Sequence, residues 1–129
     1  MVKETLVDRD ISDGKILIKM LEKSGFKVRS AFWLYVSELG EWSLFLASDY
    51  VDKYGQKKAY EFIQNELSKA SSPISIYLSN INAVKVNDDM VNLLKVLIKT
   101  GPNDLNEMRF TQNVINGVMI EDAFIYRIT

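Results

Sequence analysis

The sequence predicts an α+β fold: a single two-layer domain over residues 1–129, with three helices on a mainly antiparallel sheet of five or six strands, in the order α-β-β-α-β(β)-α-β-β. Three observations carry this reading. Several segments place apolar residues at helical spacing, two dense aromatic runs flank a short polar turn, and one Asn-Gly pair sits between apolar runs. Tight hairpin connections imply antiparallel pairing.

The elements follow in order. From Asp10, Ile11, Leu17, Met20, Leu21 and Ser24 trace one helical face, with Asp10 as N-cap and Gly25 as the stop. Ala31–Val36 and Trp42–Ala47 are rich in aromatic and aliphatic residues and flank a polar turn holding Gly40, which predicts a hairpin. Gly55–Ala70 returns to helical spacing through Ala59, Phe62, Ile63 and Leu67. Ile74–Leu78 alternates as a strand would, and Ala83–Val86 gives a second, shorter one. Asp88 caps a third helix, whose apolar face is Val91, Leu94, Leu97 and Ile98 and whose stop is Gly101-Pro102. Asn116-Gly117, between Val114-Ile115 and Val118-Met119-Ile120, predicts a C-terminal hairpin, because both central positions of a type I′ turn need positive φ.

Composition narrows function mainly by exclusion. With 47% hydrophobic and 26% charged residues and a net charge of −1, the chain has the make-up of a folded domain rather than a disordered one. It contains neither Cys nor His, which excludes the usual zinc sites, thiolate chemistry, disulfides and histidine acid–base catalysis. No cofactor or metal is implied. The opening Met1–Asp10 mixes charged and apolar residues without a signal-peptide core, and the longest apolar run, Ala31–Val36, is far shorter than the roughly 20 residues of a membrane helix. A cytoplasmic protein with no membrane segment is expected.

Three constellations invite a functional reading. In the first hairpin, setting Trp33 opposite Leu46 and Tyr35 opposite Leu44 places Trp33, Tyr35, Trp42, Leu44 and Leu46 on one face, and Phe32, Leu34, Val36, Phe45 and Ala47 on the other. Both faces are apolar, so one needs a cover: either the chain's own elements or a protein partner, Trp and Tyr being favoured at binding hot spots. In the last hairpin, setting Thr111 opposite Asp122 and Asn113 opposite Ile120 brings Arg109, Thr111, Asn113 and Asp122 to one face, with Tyr126 and Arg127 further along. An arginine–carboxylate pair with a phenol nearby is a ligand-binding or catalytic arrangement, although cross-strand polar pairs on a solvated surface look the same. Lys15, Lys19 and Lys23 stand at i, i+4 and i+8 and form a basic stripe that could track phosphates. The net charge and the lack of a nucleic-acid motif favour a solvated helix face instead.

Two further motifs fail on spacing. Asp8–Gly14 lacks the sixth-position Gly and twelfth-position Glu of a calcium loop, and neither Asp13-Gly14-Lys15 nor Ser24-Gly25-Phe26 has the spaced glycines of a phosphate cradle.

The segments Asp10–Lys15, Phe32–Tyr35 and Arg109–Arg127 together resemble a family of short uncharacterised bacterial proteins. That resemblance implies no activity and transfers no functional residue. The favoured expectation is a non-catalytic protein-binding module, an accessory subunit or a small inhibitory or immunity-type factor, that binds a partner or itself as a homo-oligomer. A nucleic-acid-associated module using the lysine stripe comes second. A small enzyme or ligand-binding domain around Arg109, Asp122 and Tyr126 comes third.

Overall fold

Residues 5–98 and 107–129 are described by a computed structural model, and the apolar periodicities become helices and strands much where the sequence places them. Helix α1 spans Asp8–Lys23 and buries Leu17, Ile18 and Leu21. Asp8 and Asp10 occupy its first turn, where negative charge suits the helix dipole, so Asp10 is a first-turn residue rather than the cap. Gly25, at φ 95°, releases the chain, and the Phe26 amide closes back on the Leu21 carbonyl at 2.9 Å.

Strands β1 (Ser30–Val36) and β2 (Glu41–Ala47) form the expected hairpin, but their register differs by two residues from the one predicted. Trp33 faces Leu44 and Tyr35 faces Trp42. The turn explains the shift. The Leu39 and Gly40 amides both bond to the Val36 carbonyl, at 3.0 and 2.9 Å, with Gly40 at φ 66°, so the ladder closes at Val36–Glu41. A shift of two preserves the alternation, and each side chain keeps its predicted face.

A short helix absent from the sequence reading, α2 (Asp49–Tyr54), follows directly; the Ser48 hydroxyl caps it by accepting from the Tyr50 amide at 3.1 Å. Gly55, at φ 88°, separates it from α3 (Gln56–Ser68). Together α2 and α3 form a crossover that returns the chain parallel to β2 as β3 (Ile81–Val84), which makes the sheet mixed. Ile74–Leu78 is not a strand. The Ser75 amide donates to the Asp13 carboxylate at 2.8 Å and the Ser75 hydroxyl to Asp10 at 2.8 Å, and a single 3-10 turn follows at Leu78–Asn80. Helix α1 therefore takes a backbone amide that a ladder would need.

Asp88 caps α4 (Asp89–Leu94) through a 3.0 Å bond from the Met90 amide, as expected. The regular helix ends at Leu94, short of the predicted Ile98, and leaves Leu97 exposed. The stop assigned to Gly101-Pro102 lies outside the described residues. Strands β4 (Met108–Ile115) and β5 (Val118–Arg127) form the C-terminal hairpin with Thr111 opposite Asp122, as predicted. Asn116 and Gly117 take φ 48° and 80°, the positive values that a type I′ turn requires.

The fold is α+β with a five-stranded sheet ordered β3-β2-β1-β5-β4, antiparallel except between β2 and β3. Helices α1, α2 and α3 pack on the face carrying Trp33, Leu44 and Leu46. The opposite face gathers Phe32, Leu34, Ala47 and Ile125 beneath Val91 and Leu94 of α4.

Candidate functional site

The aromatic face proposed as a partner interface is internal. Trp33, Tyr35 and Trp42 are between 3% and 9% exposed, and Leu44 and Leu46 are fully buried, because α1 to α3 cover them. Tyr35 and Trp42 meet edge to face at 5.6 Å. This face is core, and its cover is the chain itself.

The C-terminal polar residues separate into distinct environments instead of forming one site. Arg109 and Asp122 make a two-pronged ion pair at 2.7 and 2.8 Å, with the Arg109 guanidinium 5.4 Å from the Trp42 ring centroid. The Asp122 side chain is 3% exposed and that of Arg109 43%, so the pair is a buried carboxylate sealed by a half-exposed cation. Hydrogen bonding to Asp122 holds the Arg109 pKa above its already high ordinary value, and the guanidinium keeps its charge throughout the accessible pH range. Thr111 is exposed next to the pair. Asn113 does not join them. Between the two residues Gln112 takes φ 52° and interrupts the ladder, and Ile120, opposite Asn113, packs into the cluster on the α4 side.

Arg127 is redirected by an irregularity in the β1–β5 pairing, while Tyr126 keeps the face of Phe124. Phe32 pairs with Ile125 but Ala31 with Arg127, so Tyr126 is the extra residue of a bulge and both side chains reach the α1 side. The Tyr126 hydroxyl accepts from the Trp33 indole at 2.9 Å and donates to the Ile11 carbonyl at 2.6 Å. Burial pushes its pKa far above the ordinary tyrosine value, which leaves it a neutral structural phenol. Arg127 is 2% exposed and donates to Glu22 and to the Val28 carbonyl, both at 2.8 Å. Among the described residues, no buried side-chain nitrogen or oxygen lacks a partner. Arg109 and Asp122 are thus engaged with each other, and Tyr126 and Arg127 with groups of the core and of α1.

Lys19 and Lys23 are exposed along α1, and Lys15 is partly covered. The Asp8–Asp13 cluster forms the first turns of α1 and binds Ser75 through Asp10 and Asp13.

Comparison with known proteins adds nothing to this geometry. No family model, curated protein or solved structure matches the chain. The resemblance to short bacterial proteins therefore gains no support, and function has to be read from the surface.

That surface has an apolar feature, on the C-terminal hairpin, that sequence reasoning passed over. Strand β5 pairs with β1 only from Ala123 onward, so the hairpin beyond it, Val114–Glu121 with its turn, projects as a two-stranded arm. Val114, Val118 and Met119 on this arm are 63%, 42% and 56% exposed. Between the arm, the β1–β2 turn and Met90 of α4 lies a groove of about 560 Å³, floored by Leu34, Val36, Phe45 and Ile120. Its signal in the sequence was the second apolar face of the first hairpin, which a helix as short as α4 covers only in part. A second groove, of about 620 Å³ along α3, also presents mainly apolar surface although most of the residues around it are polar in type; Tyr60 and Leu78 are its large hydrophobic residues. Among the described residues, no helix is long and apolar enough to cross a membrane.

Proposed function

We propose that this protein is a non-catalytic, cytoplasmic protein-binding module, an accessory subunit or a small inhibitory or immunity-type factor, that docks through the arm and the groove beside it. The observation that carries this reading is the exposure of Val114, Val118 and Met119 on a projecting hairpin. A two-stranded ribbon is marginal in water by itself, and apolar side chains gathered at its tip gain free energy only when something covers them. The interface is accordingly moved from the buried Trp33 face to the opposite side of the sheet. The internal pairing of Arg109, Asp122, Tyr126 and Arg127 supports a binding role over a catalytic one.

The test is a photo-crosslinking side chain at Met119, irradiated in the native host. One dominant protein adduct is expected, either to a partner or to a second copy, together with no comparable adduct from the same group at Glu61 on α3. Equal patterns at both positions, or no adduct at Met119, would overturn the reading.

A nucleic-acid role draws on one observation, the exposure of Lys19 and Lys23. Its signature would be salt-sensitive binding of DNA or RNA that is lost when Lys15, Lys19 and Lys23 are replaced by Glu.

A further inference from the structure

We propose that the occupant of the groove is an amphipathic helix of a partner protein, apolar on the side that enters and rich in Lys or Arg along its flanks. This rests on the docking reading above and specifies the partner's chemistry. The described residues lining the groove include two carboxylates, Glu38 and Glu121, and no lysine or arginine. Glu41, opposite Val36 at the end of the same hairpin, is exposed and adds a third negative charge at that edge of the sheet. An apolar floor beside carboxylates favours a segment whose hydrophobic anchors are flanked by cations and disfavours one flanked by anions.

The shape points to a helix rather than a strand. Strand β4 is the outer strand of the sheet, but Gln112 at φ 52° breaks its regular run of donors and acceptors, and the Asn113 side chain donates to the Thr111 carbonyl at 3.1 Å. An incoming strand would find an interrupted edge. The other outer strand, β3, has only four residues. The groove, at about 560 Å³, is of the size that holds compact apolar groups. Met90 and Met119 stand on either side of it, and unbranched thioethers adjust to the anchors of a helix at i, i+4 and i+7.

The experiment uses the full chain and two fluorescent peptides of roughly 18 residues, long enough to hold a helix: one built from Leu and Lys, the other with Glu at every Lys position. The Leu/Lys peptide is expected to bind saturably and about tenfold or more tighter than the Leu/Glu peptide. Met119→Asp should abolish binding of both, and Glu38→Lys with Glu121→Lys should reverse the preference while the chain still unfolds cooperatively. Should that double variant fail to fold, Glu38→Gln with Glu121→Gln is expected to erase the preference. Equal binding of the two peptides, or a preference that survives the charge changes, would overturn the inference. Sedimentation tests a second copy as occupant: if the protein forms larger species with rising concentration and Met119→Asp returns it to a monomer, the partner is another copy and the inference falls. If neither Leu-based peptide binds while the Met119 adduct forms, docking stands and the basic helix is wrong. If the adduct is missing too, both fail.

Discussion

The indole N–H of Trp33 donates to the Tyr126 hydroxyl at 2.9 Å, joining side chains 93 positions apart, and that hydroxyl in turn donates to the Ile11 carbonyl of α1. One phenolic oxygen thereby ties β1 and β5 to the helix above them. Tyr126→Phe keeps the ring and removes the oxygen, leaving a buried N–H and a helix carbonyl without their partner. The expected loss is about 1–3 kcal/mol, the cost of orphaning buried polar groups, read from the urea midpoint at constant slope. A midpoint equal to wild type would mean that water replaces the hydroxyl.

Gly14 lets α1 come this close. A Cβ at that position would overlap the Tyr126 hydroxyl oxygen and lie 3.0 Å from its Cζ and 3.2 Å from the Trp33 indole nitrogen. In an open helix interior, Gly→Ala stabilises by about 1 kcal/mol. Here Gly14→Ala is expected to destabilise, by roughly 1–3 kcal/mol as for other overpacked cores. Combined with Tyr126→Phe it should cost less than the sum of the two changes, since the overlapping oxygen has gone. Strict additivity in a double-mutant cycle would refute the contact.

Much of this architecture was legible because alternation survives errors of register. The pairing predicted for β1 and β2 was off by two residues, yet Trp33, Leu44 and Leu46 still fell on one face. Asn116-Gly117 fixed the last hairpin through φ alone. What escaped depends on where another segment lies. Asp10 and Asp13 draw Ser75 out of a strand that its own alternation favours. The left-handed Gln112 separates Asn113 from Arg109, Thr111 and Asp122, and the bulge turns Arg127 to the α1 side, while Tyr126 keeps the face that alternation gives it and becomes a core lock there.

The ion pair should respond asymmetrically to mutation. Asp122 is buried, whereas Arg109 is half-exposed and able to hydrate when released. Arg109→Ala removes the cation paired with the buried Asp122 carboxylate and is expected to cost about 2–4 kcal/mol, towards the range for breaking a buried pair. Asp122→Asn, which keeps shape and some hydrogen bonding, should cost about 1–2 kcal/mol. Chemical denaturation at neutral pH separates them. A larger loss for Asp122→Asn would show that Asp122's other contacts outweigh the salt bridge.

Acid should weaken the seam between α1 and α3. Glu66 is 4% exposed, accepts from the Ser24 hydroxyl at the end of α1 and pairs with Lys69 at 3.2 Å. The Ser24 hydrogen bond, with help from Lys69, lowers its pKa below the ordinary 4.5 despite the opposing effect of burial. A carboxylate with a lowered folded-state pKa adds stability that is complete above the unfolded value and disappears as pH falls through the folded one. The wild-type melting temperature should therefore decline more steeply below about pH 4.5 than that of Glu66→Gln. Parallel curves would assign the acid sensitivity to other carboxylates.

The arm can be tested apart from the scaffold at Gly117. Its φ of 80° follows Asn116 at 48°, and nothing crowds the site, so a substitution meets backbone strain without a clash. Gly117→Val forces a β-branched residue into the left-handed region, at a cost on the order of 1–3 kcal/mol. The pairing pattern says where that cost falls. Beyond Ala123, β5 loses its β1 partner and has only β4 beside it. The strain is therefore expected to open the tip locally before it unfolds the sheet. Hydrogen exchange should quicken at the Ile115 and Val118 amides, which bond across the turn, while Phe124 and Ile125, held between β4 and β1, retain their protection. Exchange that rises equally along the whole of β5 would show that arm and sheet open as one unit. Unchanged exchange at the tip would mean that the turn is not strained by valine, and the type I′ assignment would have to be abandoned.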